Sequence, residues 1–179
     1  MMNWANRVTL LRIVLVPVFI TAVSYHSLNL ALVIFILAAI TDGLDGYLAR
    51  TRNEKTKLGS IIDPIADKML IGSAFICFSL VKGLPAYLEM PVYVPIIVIS
   101  RDVIILAGAM IVYLLNSGID VRPSVLGKIT TVIQMLTVIS LLLRFPYSNW
   151  MWNTTAVVTV ASGLDYLRIG SNQINGKHS

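Results

Sequence analysis

Six apolar runs, Thr9–Tyr25, Leu28–Leu48, Ser60–Val81, Pro91–Leu115, Val125–Leu143 and Trp152–Ile169, fill most of this 179-residue chain. Each is near the ~20 residues that carry a helix across ~30 Å of hydrocarbon. Such a run in lipid must be helical, because only then is every backbone N–H and C=O satisfied within its own segment. The connections are short: Tyr25–Leu28 reads as a tight turn, and Lys82–Met90 holds a Gly-Leu-Pro break. The expectation is an all-α integral membrane protein of six transmembrane helices, one domain over residues 1–179, without internal repeats.

Composition agrees. The chain is 56% hydrophobic, with a mean hydropathy of +0.79. Charged residues make up 13%, about half of the ~25% usual in soluble domains. A net charge of +5 in a soluble protein would suggest nucleic acid. Here it fits basic residues beside an anionic leaflet, with no nucleic-acid partner. Arg7 and Arg12 ahead of an apolar stretch resemble a signal peptide, but Arg12 lies inside the first run. Pro17 and the lack of an A-x-A site favour a retained first helix. The single cysteine, Cys77, reads as a buried packing residue.

Six crossings put both termini on one side. With them go Arg7, Arg12, Arg50, Arg52, Lys55, Lys57, Lys68, Arg101, Arg122, Lys128, Arg168 and Lys177, leaving Lys82 and Arg144 opposite. The positive-inside bias then makes that side cytoplasmic in a cell (plasma or inner) membrane. Trp150 and Trp152 fall at the outer interface, where amphipathic rings belong.

Against this background, five of the nine acidic residues fall between Asp42 and Asp67, and four of them are aspartates. Asp42 and Asp45 close the second run; Asp63 and Asp67 open the third. On helices the first pair projects ~60° apart and the second ~40° apart. The short polar loop TRNEKTKL lets the two helices run antiparallel, so all four carboxylates can converge near the cytoplasmic interface. An aspartate at mid-membrane costs about 2.5–3.5 kcal/mol on insertion scales, and four together repel one another. Arg50 and Lys68 would leave charge unmatched; a divalent cation would not. Neither histidine lies nearby, which argues against zinc and copper. Oxygen-only ligands suit Mg²⁺, Mn²⁺ or Ca²⁺, with Mg²⁺ the default for phosphate chemistry and one or two ions bound. Gly46 and Ala49 share the stripe of Asp42, and Gly59 precedes Asp63 by one turn. That bare face permits either close helix packing or a flat group, such as a nucleotide base, lying against the backbone.

The stretch DGLDGYLARTRNEKTKLGSIIDPIAD follows the pattern D-x2-D-G-x2-A-R-x8-G-x3-D-x3-D. It resembles the signature of the CDP-alcohol phosphotransferase family at Asp42, Asp45, Gly46, Ala49, Arg50, Gly59, Asp63 and Asp67. The resemblance implies a six-helix membrane enzyme, usually a homodimer, that transfers the phosphatidyl group of a CDP-linked lipid to an alcohol and releases CMP. By the same resemblance, Asp42, Asp45 and Asp63 would ligate Mg²⁺ or Mn²⁺. Asp67 would be the general base and would also touch a metal. Gly46 and Ala49 would make room for cytidine, with Gly59 on the same bare face, and Arg50 would contact the nucleotide. CDP-diacylglycerol is the implied donor.

The opening WANRVTLLRIVLVP carries N-x2-T-x2-R-x4-P at Asn6, Thr9, Arg12 and Pro17. It resembles the branch of that family whose acceptor is glycerol 3-phosphate. Asn6, Thr9 and Arg12 share a helical face and are placed beside the nucleotide or its phosphates. For Arg12, snorkelling to the interface is the other reading. An anionic acceptor calls for cations, and Arg101, Arg122 and Lys128 are the candidates for its phosphate. Arg101 with Asp102 also reads as a structural ion pair, and Arg122 and Lys128 as topology signals. Other acceptors, such as inositol phosphate, serine or a phosphatidyl lipid, stay open. So do two different readings of the acid cluster, an intramembrane prenyltransferase and a divalent-cation transporter. The short chain argues against the first and the missing inverted repeat against the second.

Overall fold

The computed structural model describes the backbone of residues 4–52, 59–115 and 125–175, and the side chains of 11–41, 68–108 and 125–169. Among the described residues there are six α-helices: α1 Trp4–Ser24, α2 Leu28–Arg52, α3 Gly59–Leu80, α4 Tyr93–Leu115, α5 Val125–Leu142 and α6 Ser148–Asn175. The number and order match the six apolar runs. The ends do not: α1 begins before Thr9, α2 continues to Arg52, and α6 gains turns at both ends. Apolarity marks where a helix is buried, whereas Asn, Arg and Thr prolong a helix at little cost. Among the described residues, α5 is long and apolar enough to cross a membrane, and Leu11–Ser24, Leu28–Thr41 and Lys68–Leu80 are shorter apolar stretches.

The chain forms two compact units. The first comprises Met1–Met90 and Val138–Pro146. In it α1 packs against both α2 and α3. Its core is aliphatic and aromatic: Phe19, Phe35, Leu70, Ile71, Phe75 and Phe78 are buried. The Phe19 and Phe35 rings meet with centroids 5.8 Å apart at a 52° tilt, a favourable aromatic arrangement. Pro17 sits inside α1. Its missing N–H leaves the Ile13 carbonyl without a helical donor. Four residues on, the Thr21 hydroxyl donates to the Pro17 carbonyl at 2.8 Å.

The Tyr25–Leu28 turn is as tight as its sequence suggests. His26 takes φ 59°. Its N–H donates to Val23 O at 2.9 Å, and Ser27 N–H donates to Ala22 O at 2.8 Å. This is the Schellman closure, in which a left-handed residue returns two orphan N–H groups to the last turn. Arg144 (φ 63°) repeats the device after α5: Arg144 N–H reaches Leu141 O and Phe145 N–H reaches Ser140 O, both at 3.0 Å. Beyond α3, Gly83 has φ 78°, and a Cβ there would stand 3.3 Å from His26 Nε2. That approach brings the turn after α3 up to the turn after α1.

The second unit comprises Pro91–Thr137 and Tyr147–Ser179. Here α4 packs against α6, and a glycine on each helix faces a large side chain of the other. A Cβ on Gly108 of α4 would come within 3.1 Å of the Tyr166 ring and hydroxyl on α6. A Cβ on Gly163 of α6 would lie 3.6 Å from Arg101 Cγ on α4. The Tyr166 hydroxyl donates to Ile105 O at 3.3 Å.

Candidate active site

The signature residues occupy the facing ends of α2 and α3, on either side of a connection that lies outside the described residues. Asp42, Asp45, Gly46, Ala49 and Arg50 are helical in α2, and Gly59, Asp63 and Asp67 are helical in α3. Asn6 and Thr9 are helical in α1. The side chains of all ten lie outside the described residues, so their placement is one of register.

That register is informative. The Ser24 end of α1 is joined to α2 by the tight turn, and the His26–Gly83 approach brings the Leu80 end of α3 alongside. At ~1.5 Å per residue, Arg12 lies ~18 Å from the Ser24 end, Asp42 ~21 Å from Leu28, and Asp67 ~20 Å from Leu80. These three share one level of the first unit to within a turn. Asp45 and Asp63 lie one turn further on, each ~26 Å along. Thr9 and Asn6, ~23 and ~27 Å along α1, bracket that second level. The elements that carry the N-terminal motif and the acidic signature are thus in register, with α1 packed against both acidic helices.

Arg12 gives this level its electrostatic content. Its side chain is 1% exposed, which removes the snorkelling reading. A long cationic side chain is buried inside protein only when its charge is compensated. The sequence alone left Arg12 evenly balanced between two roles, because a motif match does not show which way a helix is turned. Pro17 and the neighbouring apolar residues gave no further signal.

The second unit holds the other set. Arg101 and Asp102 on α4 are both buried. Arg101 Nη1 donates to Asp102 Oδ1 at 2.8 Å, and Nη2 donates to Ser162 Oγ of α6 at 2.6 Å. The Arg101 Nε–H is buried with no hydrogen-bond partner. Lys128 is exposed on the first turn of α5, and Arg122 lies outside the described residues. A polar ladder continues along α5 and α6. Gln134 Nε2 donates to Thr159 Oγ1 at 3.3 Å, and the Thr137 and Thr155 hydroxyls meet at 2.7 Å. Sequence reading did not find Ser162, Gln134 or Thr159. Their one visible signal is polar residues recurring in α6 at 155, 159 and 162, a single helical face.

Comparison with known proteins follows the same lines. The family description CDP-alcohol phosphatidyltransferase matches residues 2–161. A Mycobacterium tuberculosis protein named "Probable phosphatidylglycerophosphate synthase" is 36% identical over 97% of this chain and 84% of its own. The CDP-diacylglycerol–glycerol-3-phosphate 3-phosphatidyltransferase of Bacillus subtilis is 33% identical over 93% of this chain and 94% of its own. A rat cardiolipin synthase (CMP-forming) is 30% identical over 94% of this chain and 62% of its own. With a signature that matches at every fixed position, on helices that share a register, the chain belongs to the CDP-alcohol phosphatidyltransferase family.

Proposed function

We propose that this chain transfers the phosphatidyl group of CDP-diacylglycerol to sn-glycerol 3-phosphate, giving phosphatidylglycerophosphate and CMP. The observation that carries this reading is the shared register of Arg12, Asp42 and Asp67 on three packed helices. That register supports a polar centre, with Arg12 balancing the carboxylates, inside an apolar unit. The names of the Mycobacterium tuberculosis and Bacillus subtilis relatives support the acceptor.

In this reading all six helices span a cell membrane as one domain, with both termini and the acidic centre at the cytoplasmic face and the chain paired as a homodimer. The acyl chains of the donor stay in lipid while its headgroup meets the soluble acceptor in water. Asp42, Asp45, Asp63 and Asp67 fit Mg²⁺ or Mn²⁺ as a hard, oxygen-only donor set, adjoined by a buried cation at one level only. A bound ion would neutralise the diphosphate and polarise its phosphorus. Asp67 takes the proton of the attacking hydroxyl, which a carboxylate does when within hydrogen-bond reach. Asn6, Thr9, Gly46, Ala49, Arg50 and Gly59 seat the nucleotide, the small residues leaving space for the base. Arg101, Arg122 and Lys128 hold the acceptor's phosphate, where planar guanidinium donors suit its oxygens.

The test is CMP release by the purified protein with CDP-diacylglycerol and separate acceptors, with Mg²⁺ and then with chelator. Glycerol 3-phosphate should be used and serine and inositol phosphate refused. Release with phosphatidylglycerol alone would move the acceptor to a phosphatidyl lipid, a reading that the rat relative's name supports. Replacing Arg122 and Lys128 together should raise the KM for acceptor more than that for donor. The reverse ranking removes both from the acceptor site.

A further inference from the structure

The Arg101 guanidinium is bonded at two of its nitrogens and unpartnered at the third. Nη1 is taken by Asp102 of its own helix, and Nη2 by Ser162 of α6. The side chain is 6% exposed, yet its Nε–H has no hydrogen-bond partner. An orphaned N–H on a buried charged group is costly and calls for an explanation, of which a ligand that completes the bond is one. An N–H donor takes an oxygen acceptor, and on the Nε/Nη2 edge two N–H groups point side by side, the geometry that suits a phosphate.

Ser162 is bonded to Nη2, one of the two nitrogens of that edge. Its Oγ accepts from Nη2 at 2.6 Å, which leaves its own hydroxyl hydrogen to donate elsewhere. The Ser162 hydroxyl and the Arg101 Nε–H thus form neighbouring donors. The Arg101 stem lies against α6 at Gly163, next in the chain, whose Cβ position is 3.6 Å from Arg101 Cγ, an ordinary packing distance. Asp102 keeps the cation from being buried uncompensated.

We propose that Ser162 is a positioning residue for the acceptor: it holds Arg101 with the Nε–H edge reserved for a phosphate oxygen. The inference rests on the reading of Arg101 as an acceptor-phosphate group. Ser162 acts through Arg101, so its loss should change affinity for the anionic acceptor, leaving donor affinity and turnover at saturation nearly intact.

The experiment compares Ser162→Ala, Ser162→Cys, Ser162→Thr and Arg101→Lys in the full-length protein, reading KM for glycerol 3-phosphate, KM for CDP-diacylglycerol, kcat and Tm. Ser162→Ala should raise the acceptor KM about tenfold, the size of one lost hydrogen bond to a charged group. Donor KM and kcat should stay within about twofold, and Ser162→Thr, which retains the hydroxyl, should restore the acceptor KM. Should the alanine variant not fold, Ser162→Cys, close in shape but a poor acceptor, carries the test with an intermediate rise. A raised acceptor KM in Arg101→Lys with none in the Ser162 variants overturns the positioning role and leaves Arg101 at the acceptor. No change in either overturns both. A fall in Tm with unchanged KM values would make Ser162 a packing residue and refute the proposal.

Discussion

The two units bury opposite chemistry. In the first, Phe19, Phe35, Phe75, Phe78, Leu70 and Ile71 form an apolar core, and Arg12 is a cation buried with them. In the second, the buried set includes Arg101, Asp102, Thr130, Gln134, Thr137, Thr155, Thr159 and Ser162. An apolar core in water is held by the hydrophobic effect, but lipid is as apolar as leucine, so helices there associate by close packing and hydrogen bonds. The first unit depends on shape, with the Phe19–Phe35 pair and the two turns at His26 and Gly83 fixing α1 to α3. The second depends on direction, since each hydroxyl or guanidinium bond specifies one rotation of its helix. Arg12 is an exception to that apolar rule among the described residues of the first unit.

The sharpest way to break this contrast is at the reaction centre. Asp67→Asn keeps shape and hydrogen-bonding capacity but cannot accept the proton. CMP release should fall by about 10²–10⁴, with CDP-diacylglycerol still bound in an equilibrium binding measurement. Near-normal turnover would remove Asp67 as the base.

Arg12→Met retains bulk and removes the buried cation. Breaking one side of a buried charge arrangement costs about 3–5 kcal/mol. The loss should be largest in chelator, because the aspartates on α2 and α3 then repel without compensation. Mg²⁺ should restore part of the Tm in the variant and less in the parent. Equal Mg²⁺ responses would mean that Arg12 does not share a charge balance with the acidic helices. Phe75→Ala tests the other side of the first unit. It should cost about 3 kcal/mol through the cavity it leaves, with no dependence on Mg²⁺.

Much of this was legible from the sequence. The six helices follow from run length, each apolar run being near the ~20 residues of a membrane-crossing helix. The acidic helices follow from the D-x2-D and D-x3-D spacing. Helix ends were not legible: α2 reaches Arg52 and α6 reaches Asn175, since polar residues prolong a helix without adding to its apolar signal. The burial of Arg12 was not legible either, because it depends on which face of α1 meets α2 and α3. Nor was Ser162. A serine beside Gly163 in an apolar run looks like a small packing residue, and its bond to Arg101 joins positions 61 residues apart in the chain.

The smallest effect belongs to the ladder of the second unit. The Thr137 and Thr155 hydroxyls meet at 2.7 Å, yet each also has a carbonyl of its own helix within reach, Ile133 O at 2.9 Å and Met151 O at 3.0 Å. Only one of the two hydroxyls can donate across the gap; the other donates to its own helix. Removing one threonine therefore leaves its partner a local acceptor rather than an orphaned hydrogen. A double-mutant cycle with Thr137→Val and Thr155→Val should give a coupling of about 0.6 kcal/mol, the average for such pairs between membrane helices. Unfolding in mixed detergent would measure it. A coupling several times larger would mean that neither hydroxyl uses its carbonyl in the mutants, and that this ladder, rather than the glycine-for-side-chain exchange between α4 and α6, supplies most of the second unit's specificity.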